Sequence, residues 1–272
     1  MERPLILHAT DLSPASEAAF RHALKIALAV RGRLRIVHVH GTSQPAAGFE
    51  AFPQVRATLA AWGLIEPDAP AAAVADRLGL TISKAEATAR RPESGLARLA
   101  SRETPALVVL GTAGRDGLER LRHGSFAEAL ARHAKAPALF IPDVSSGFVG
   151  GADGAVGLRS VLIPAAISPS AAGAMKAALR LISALGGDAT AHMLHVGREE
   201  TAPPVPPGGR ACRLMVREGR VVETIVAVAD ELDADLVAMA TAGHDSLLDA
   251  VRGSITEQVL RRAGRPLLAV PA

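Results

Sequence analysis

A chain of 272 residues with 49% hydrophobic and 21% charged residues has a globular composition, room for about two domains, and nothing of a disordered protein. Its single cysteine, Cys212, excludes a disulfide framework and a cysteine-rich zinc module. The net charge of only +3, with aromatics at 3% and no tyrosine, offers neither a strong basic field nor stacking platforms, so nucleic acid is not an expected partner.

The chain opens Met1-Glu2-Arg3-Pro4, and the apolar run before Asp11 is too short for a secretory leader. No apolar run reaches the 18 or so residues a bilayer requires; the stretch Val161 to Leu185 is interrupted by Lys176 and Arg180. The expectation is a cytoplasmic protein with no membrane segment.

Leu5-Ile6-Leu7 reads as a strand and Thr10 to Pro14 as a turn. Ala19, Ala23, Ile26, Ala27 and Val30 recur at helical spacing over 15–30, and Gly32 is expected to end that helix. Residues 34–39 read as a strand, 52–62 and 68–78 as helices, 80–89 as a strand and 92–102 as a helix. The continuous apolar run 106–110 predicts a strand buried on both faces. A helix over 125–134 and a strand over 138–141 follow. Strands alternating with helices argue an α/β fold with a doubly wound parallel sheet.

Residues 144–157 carry five Gly and two Ser and are expected to be a flexible linker. The pattern then restarts. Val161 to Pro164 matches the first strand, and Ser168-Pro169 matches Ser13-Pro14. Ala191 to Val196 matches the strand ending His38-Val39, Leu236 to Met239 matches 107–110, and Pro266 to Pro271 matches 137–142. Gly253-Ser254 matches Gly124-Ser125. This is a tandem duplication. Asp11 to Gly111 spans 100 residues, whereas the matching Ala166 to Ala240 spans 74. The second copy therefore lacks the helical segment between its second and third strands, leaving one sheet face there less covered. Its third strand is expected over 211–216.

The strongest chemical signal is Gly111-Thr112-Ala113-Gly114, nine further residues, then Gly124-Ser125. A strand ending on a glycine lets backbone amides approach a ligand, and a helix start offers free N–H groups to an anion. Arg115, Arg120, Arg122 and His123 add positive potential between them. A capping box, Ser125-Phe126-Ala127-Glu128, explains the Ser and Glu without a ligand but not the three glycines. Asp11 ends the first strand. If strands one and four flank the point where strand order reverses, Asp11 and Gly111 face one crevice, and Asp11 could accept from a base or ribose. The alternative is an Asx turn starting the first helix.

These residues resemble the universal stress protein family. Gly-x2-Gly-x9-Gly-Ser at 111–125 is similar to its ATP-binding signature, and Asp11, Ser13 and Ser16 to its Asp-x-Ser-x-x-Ser opening. Val37-His38-Val39 is like its common Leu-His-Val. The resemblance implies two tandem Rossmann-like, adenine-nucleotide alpha-hydrolase-like domains, residues 1–143 and 158–272, packed as an intramolecular pseudo-dimer. The last strands, Leu139 to Ile141 and Leu267 to Val270, would pair, and further homodimerisation is compatible with that. It implies adenine contacts from Asp11 and Val39, and ribose and phosphate contacts from Gly111, Gly114, Gly124 and Ser125, with Arg115 beside them. The implied ligand is ATP, with AMP or ADP as variants and Mg²⁺ as an optional companion. In the second copy Ala166 replaces Asp11 and Ala240 replaces Gly111, so its site is expected to be degenerate.

No Walker A loop, dinucleotide fingerprint or nucleophile elbow is present. No acid–base pair stands out, so no catalytic residue is assigned and at most slow ATP hydrolysis is expected. His8, His38, His40, His192 and His195 read as packed structural histidines rather than a metal site. Asp230, Asp233 and Asp235 read as a polar helix end, Arg261, Arg262 and Arg265 as complements to a helix dipole, and Trp62, Met175 and Met239 as core. A nucleotide-independent interaction module is the competing expectation, with an unknown protein partner on the less covered face.

Overall fold

The computed structural model describes residues 3–43, 45–112, 136–143, 145, 147–205, 212–241 and 255–272. In the first half, β1 (Leu5–Thr10), α1 (Glu17–Ala29), β2 (Arg33–His40), α2 (Val55–Ala61), α3 (Ala71–Leu78), β3 (Thr81–Thr88), α4 (Pro92–Glu103), β4 (Leu107–Thr112) and β5 (Ala138–Pro142) follow one another. In the second, β6 (Ser160–Pro164), α5 (Ala172–Ala184), β7 (Thr190–Val196), β8 (Arg213–Arg217), α6 (Val221–Glu231), β9 (Leu236–Thr241), α7 (Ile255–Ala263) and β10 (Leu267–Pro271) do. The helix expected over 125–134 lies outside the described residues, as does Ala211 of the expected strand 211–216.

The ten strands among the described residues join one sheet, ordered β3-β2-β1-β4-β5-β10-β9-β6-β7-β8. Every pair is parallel except β5 with β10, which run antiparallel with Leu139 opposite Leu268 and Phe140 opposite Leu267. The order reverses at β1 in the first half and at β6 in the second. Pairing β5 with β10 removes two apolar edges from solvent. The outer edges are β3, which carries Lys84 and Glu86, and the short β8, which has Arg213 and Arg217 at its ends. Charge and shortness both discourage edge-to-edge pairing.

Alternation along the strands divides the core into two layers. Ile6, Val109, Leu139, Ile163 and Leu268 face the layer of α1, α2, α3 and α5. Leu7, Val108, Phe140, Leu162 and Ala269 face the layer of α4, α6 and α7. Trp62 and Met175 belong to the first layer and Met239 to the second, all buried. Arg35 on β2 pairs with Glu103 at the end of α4 at 3.1 Å.

Local physics sets the boundaries. β1 runs three residues beyond its apolar start because its two polar residues are partnered: His8 Nδ1–H donates to the Val109 carbonyl, and the Thr10 hydroxyl bonds Ser16. A single 3₁₀ turn, Pro14–Ser16, precedes α1. α1 ends with Arg31 in the left-handed region at φ 47°, not with Gly32. Gly32 is required for a different reason: a Cβ there would lie 2.5 Å from the Pro4 carbonyl oxygen.

Residues 147–157, inside the stretch expected to be a flexible linker, form a docked hairpin. Val149 bridges Val156, and Gly150 and Gly157 N–H groups donate to Ala155 and Phe148 carbonyls. Phe148 and Val149 are buried in the first core layer. Glycine density here reflects close packing: a Cβ on Gly154 would meet the Trp62 ring at 2.5 Å. Between β7 and β8 the described residues hold only a 3₁₀ turn, Glu199–Thr201, where the first half has α2 and α3. β8 is half-buried along its centre, as the opposite edge strand β3 is.

Candidate functional site

Parallel pairing places the C-terminal ends of β1, β2 and β4 on one edge. Thr10 pairs with His38 and Ala9 with Leu110, so Asp11, Val39 and Gly111 stand next to those register positions on three adjacent strands. This is the reversal point of the strand order, where a doubly wound sheet opens a crevice.

The first turn of this edge is tied by a chain of hydrogen bonds. Leu12 N–H donates to Thr10 Oγ1 at 3.0 Å, and Thr10 and Ser16 hydroxyls are 2.9 Å apart. Ser16 Oγ–H donates onward to the Ser13 carbonyl. Leu12 itself sits at φ 64°, a conformation costly for a residue with a Cβ. Asp11 is exposed, and its Oδ1 accepts both the Ser13 N–H at 3.0 Å and the Ser13 hydroxyl at 2.6 Å. That is the Asx turn, and it fixes the carboxylate at the mouth of the edge. His38 Nδ1–H donates to the Thr10 carbonyl at 2.9 Å and so locks β2 to the same turn.

Gly111 is half-buried beneath that turn. A Cβ there would make ordinary contact with Ser16 Cα at 3.4 Å and the Ala15 carbonyl oxygen at 3.5 Å, so the seating of the turn on β4 does not by itself require a glycine. Val39 is half-buried and packs toward α4. Gly95 of α4 makes this approach workable: a Cβ there would be 2.9 Å from Val39 Cγ1 and 2.6 Å from Ala89 Cβ. Thr10 and Gly95 carry no sequence motif; only the register and the helix approach reveal them. Gly114, Arg115, Gly124 and Ser125 lie outside the described residues, as do Gly243, Gly253 and Ser254 of the second half.

His8, two residues below Thr10, is fully buried against Phe20, and burial pulls its pKa down to about 4. Its Nε2 has no hydrogen-bond partner among the described residues. His38 and His40 rings stack 5.7 Å apart, each holding a backbone carbonyl through Nδ1. Among the described residues no three His, Cys, Asp or Glu converge as a metal site would require.

The second half keeps the frame and loses the polar edge. His195 Nδ1–H donates to the Ala165 carbonyl as His38 does to Thr10. Ala166 is exposed in place of Asp11, Ala240 is half-buried in place of Gly111, and Ile167 is 72% exposed beside them. The acidic and basic residues near α6 and α7 satisfy one another. Arg265 donates to Asp230 and Asp233, Arg262 to Glu223, and Asp235 accepts the Arg159 and Ser160 N–H groups. No helix among the described residues is long and apolar enough to cross a membrane.

Two tandem α/β halves, each with a reversal of strand order, define a doubly wound parallel fold, and sequence narrows it. The profile of the Universal stress protein family matches residues 4–142 and 205–271, and the chain belongs to that family. It is similar over its whole length to a universal stress protein from Archaeoglobus fulgidus DSM 4304, at 17% identity, covering 100% of this chain and 99% of that one, with TM-score 0.62. A functionally unknown protein from Pseudomonas aeruginosa PAO1 aligns at 15% identity over 99% of this chain and 92% of its own, with TM-score 0.63. The cytoplasmic domain of a prokaryotic cation chloride cotransporter aligns at 12% identity over 99% and 95%, with TM-score 0.53. At these identities the likeness is one of fold. No curated protein matches the chain in sequence.

Proposed function

We propose that the first half of the protein binds an adenine nucleotide, ATP foremost, and acts as a nucleotide-responsive regulator in a cytoplasmic stress response. The observation that carries this reading is Gly111. It opens a Gly-x2-Gly-x9-Gly-Ser spacing, and it lies on the strand edge beside Asp11 and Val39. In this reading Asp11, fixed by Ser13, accepts from the adenine or ribose end, and Val39 lines the base. Gly114, Arg115, Gly124 and Ser125 would receive ribose and phosphates through backbone amides, a hydroxyl and a guanidinium. Mg²⁺ would offset phosphate charge where it accompanies the ligand. No residue is assigned to activate water, so the ligand serves as a stabiliser or switch by mass action. Ala166 and Ala240 make the second half a degenerate partner, joined to the first as an intramolecular pseudo-dimer.

The test is thermal stability with and without Mg-ATP, in the wild type and in Asp11→Ala. The wild type is expected to gain stability with ligand. The variant is expected to need roughly 5- to 150-fold more ligand for the same gain, the equivalent of about 1–3 kcal/mol for an unpaired donor. An equal response in both would remove Asp11 from the site.

A second reading rests on a specific observation. The Asx turn, in which Asp11 Oδ1 holds both the Ser13 N–H and the Ser13 hydroxyl, accounts for Asp11 without a ligand. A nucleotide-independent interaction module would then show no change in stability with ATP.

A further inference from the structure

We propose that residues 147–157 form an acid-released clasp, held on the first half by neutral His22 and freed when the His22 Nε2 nitrogen takes a proton. His22 lies within α1, and both ring nitrogens are engaged. The Ala18 carbonyl can only accept, so Nδ1 donates to it, at 2.7 Å. The Phe148 N–H can only donate, so Nε2 accepts from it, at 2.9 Å. The neutral Nδ1–H tautomer is therefore the one form that satisfies both contacts. An imidazolium would turn Nε2 into a donor facing a donor, in a site where an unpaired N–H is costly.

The ring is packed closely against the clasp. The Phe148 ring meets the His22 ring edge-on at 4.4 Å between centroids, and a Cβ on Gly147 would lie 2.3 Å from His22 Cε1. Burial holds the ring's pKa down to about 4, and the Arg21 guanidinium pushes in the same direction. The other charged groups on the surrounding elements are Glu17 and Lys25 on α1, Asp153 in the clasp, Asp143 after β5, and Lys176 and Arg180 on α5. None of them is a hydrogen-bond partner that would welcome a protonated ring in place of Phe148. Freed, the clasp becomes a slack tether between β5 and β6, and the halves remain joined through the β5–β10 pair.

Trp62, the single tryptophan, reads the clasp directly. Its indole N–H donates to the Gly151 carbonyl at 3.3 Å and its ring lies against Gly154. The experiment records Trp62 emission and far-ultraviolet circular dichroism of the full chain between pH 7 and pH 4. A reversible red shift of emission is expected as pH falls from 6.5 toward about 4, with the dichroism unchanged. His22→Gln keeps an acceptor for Phe148 without titrating, and is expected to abolish the shift. Gly147→Ala, which forces the clasp off the intact imidazole, is expected to give the red-shifted emission already at pH 7. An unaltered pH transition in His22→Gln, emission and dichroism changing together in the wild type, or unshifted emission in Gly147→Ala at pH 7 would each overturn the proposal.

Discussion

His8 and His22 are buried imidazoles on the α1 side of the sheet, and both carry a pKa near 4 against an ordinary 6.5. A folded-state pKa below the unfolded one means that the unfolded chain binds more protons throughout that window. Their contribution to stability is therefore complete above pH 6.5 and is lost as pH falls through about 4. Urea unfolding at pH 7, 5.5 and 4.5 is expected to show a falling free energy, with proton uptake on unfolding largest between pH 6.5 and about 4, approaching about two per molecule there, and declining as pH nears 4. A flat profile would contradict the burial of neutral rings. At the candidate site, Gly111 was legible in the sequence as the end of an apolar run and Asp11 as the start of the turn after the first strand, and strand ends are where a parallel sheet presents chemistry. Thr10 and His8 were not, since polar side chains at strand positions reveal their role only through partners on other strands.

At the scale of elements, glycines mark where helices and turns approach the sheet closely. Gly95 lets α4 reach Val39 and Ala89, and Gly32 lets the α1–β2 turn reach the Pro4 backbone. Gly95→Ala is expected to destabilise by about 1–3 kcal/mol through overpacking, and Gly32→Ala by a similar amount or more, because the atom it meets is backbone. Denaturant midpoints with an unchanged slope would register both. The stretch 144–157 shows the limit of reading composition: glycine-rich sequence scores as flexible, yet Gly147 and Gly154 are small because His22 and Trp62 fill the space a Cβ would need. The shortened second half was legible from residue counts alone, and β8 is half-buried where α2 and α3 have no counterpart among the described residues.

At the scale of the molecule, the β5–β10 pair joins the strands of both halves into one sheet. Leu139 and Leu268 face each other across that junction, fully or nearly fully buried. Leu268→Ala is expected to cost about 2–5 kcal/mol. It is expected to lower a single cooperative transition rather than to uncouple two. Two separated thermal transitions in the wild type would argue that the halves fold independently. The junction was expected from the family resemblance, which implies that the last strands pair, and the pairing buries two apolar edges. The asymmetry between halves carries the functional account: an Asp and a Gly at one strand reversal, two Ala residues at the other. Isothermal titration of nucleotide-stripped protein with Mg-ATP tests it most directly. One site per chain is the predicted result; two sites would contradict the degenerate second half, and no binding would contradict the nucleotide reading altogether.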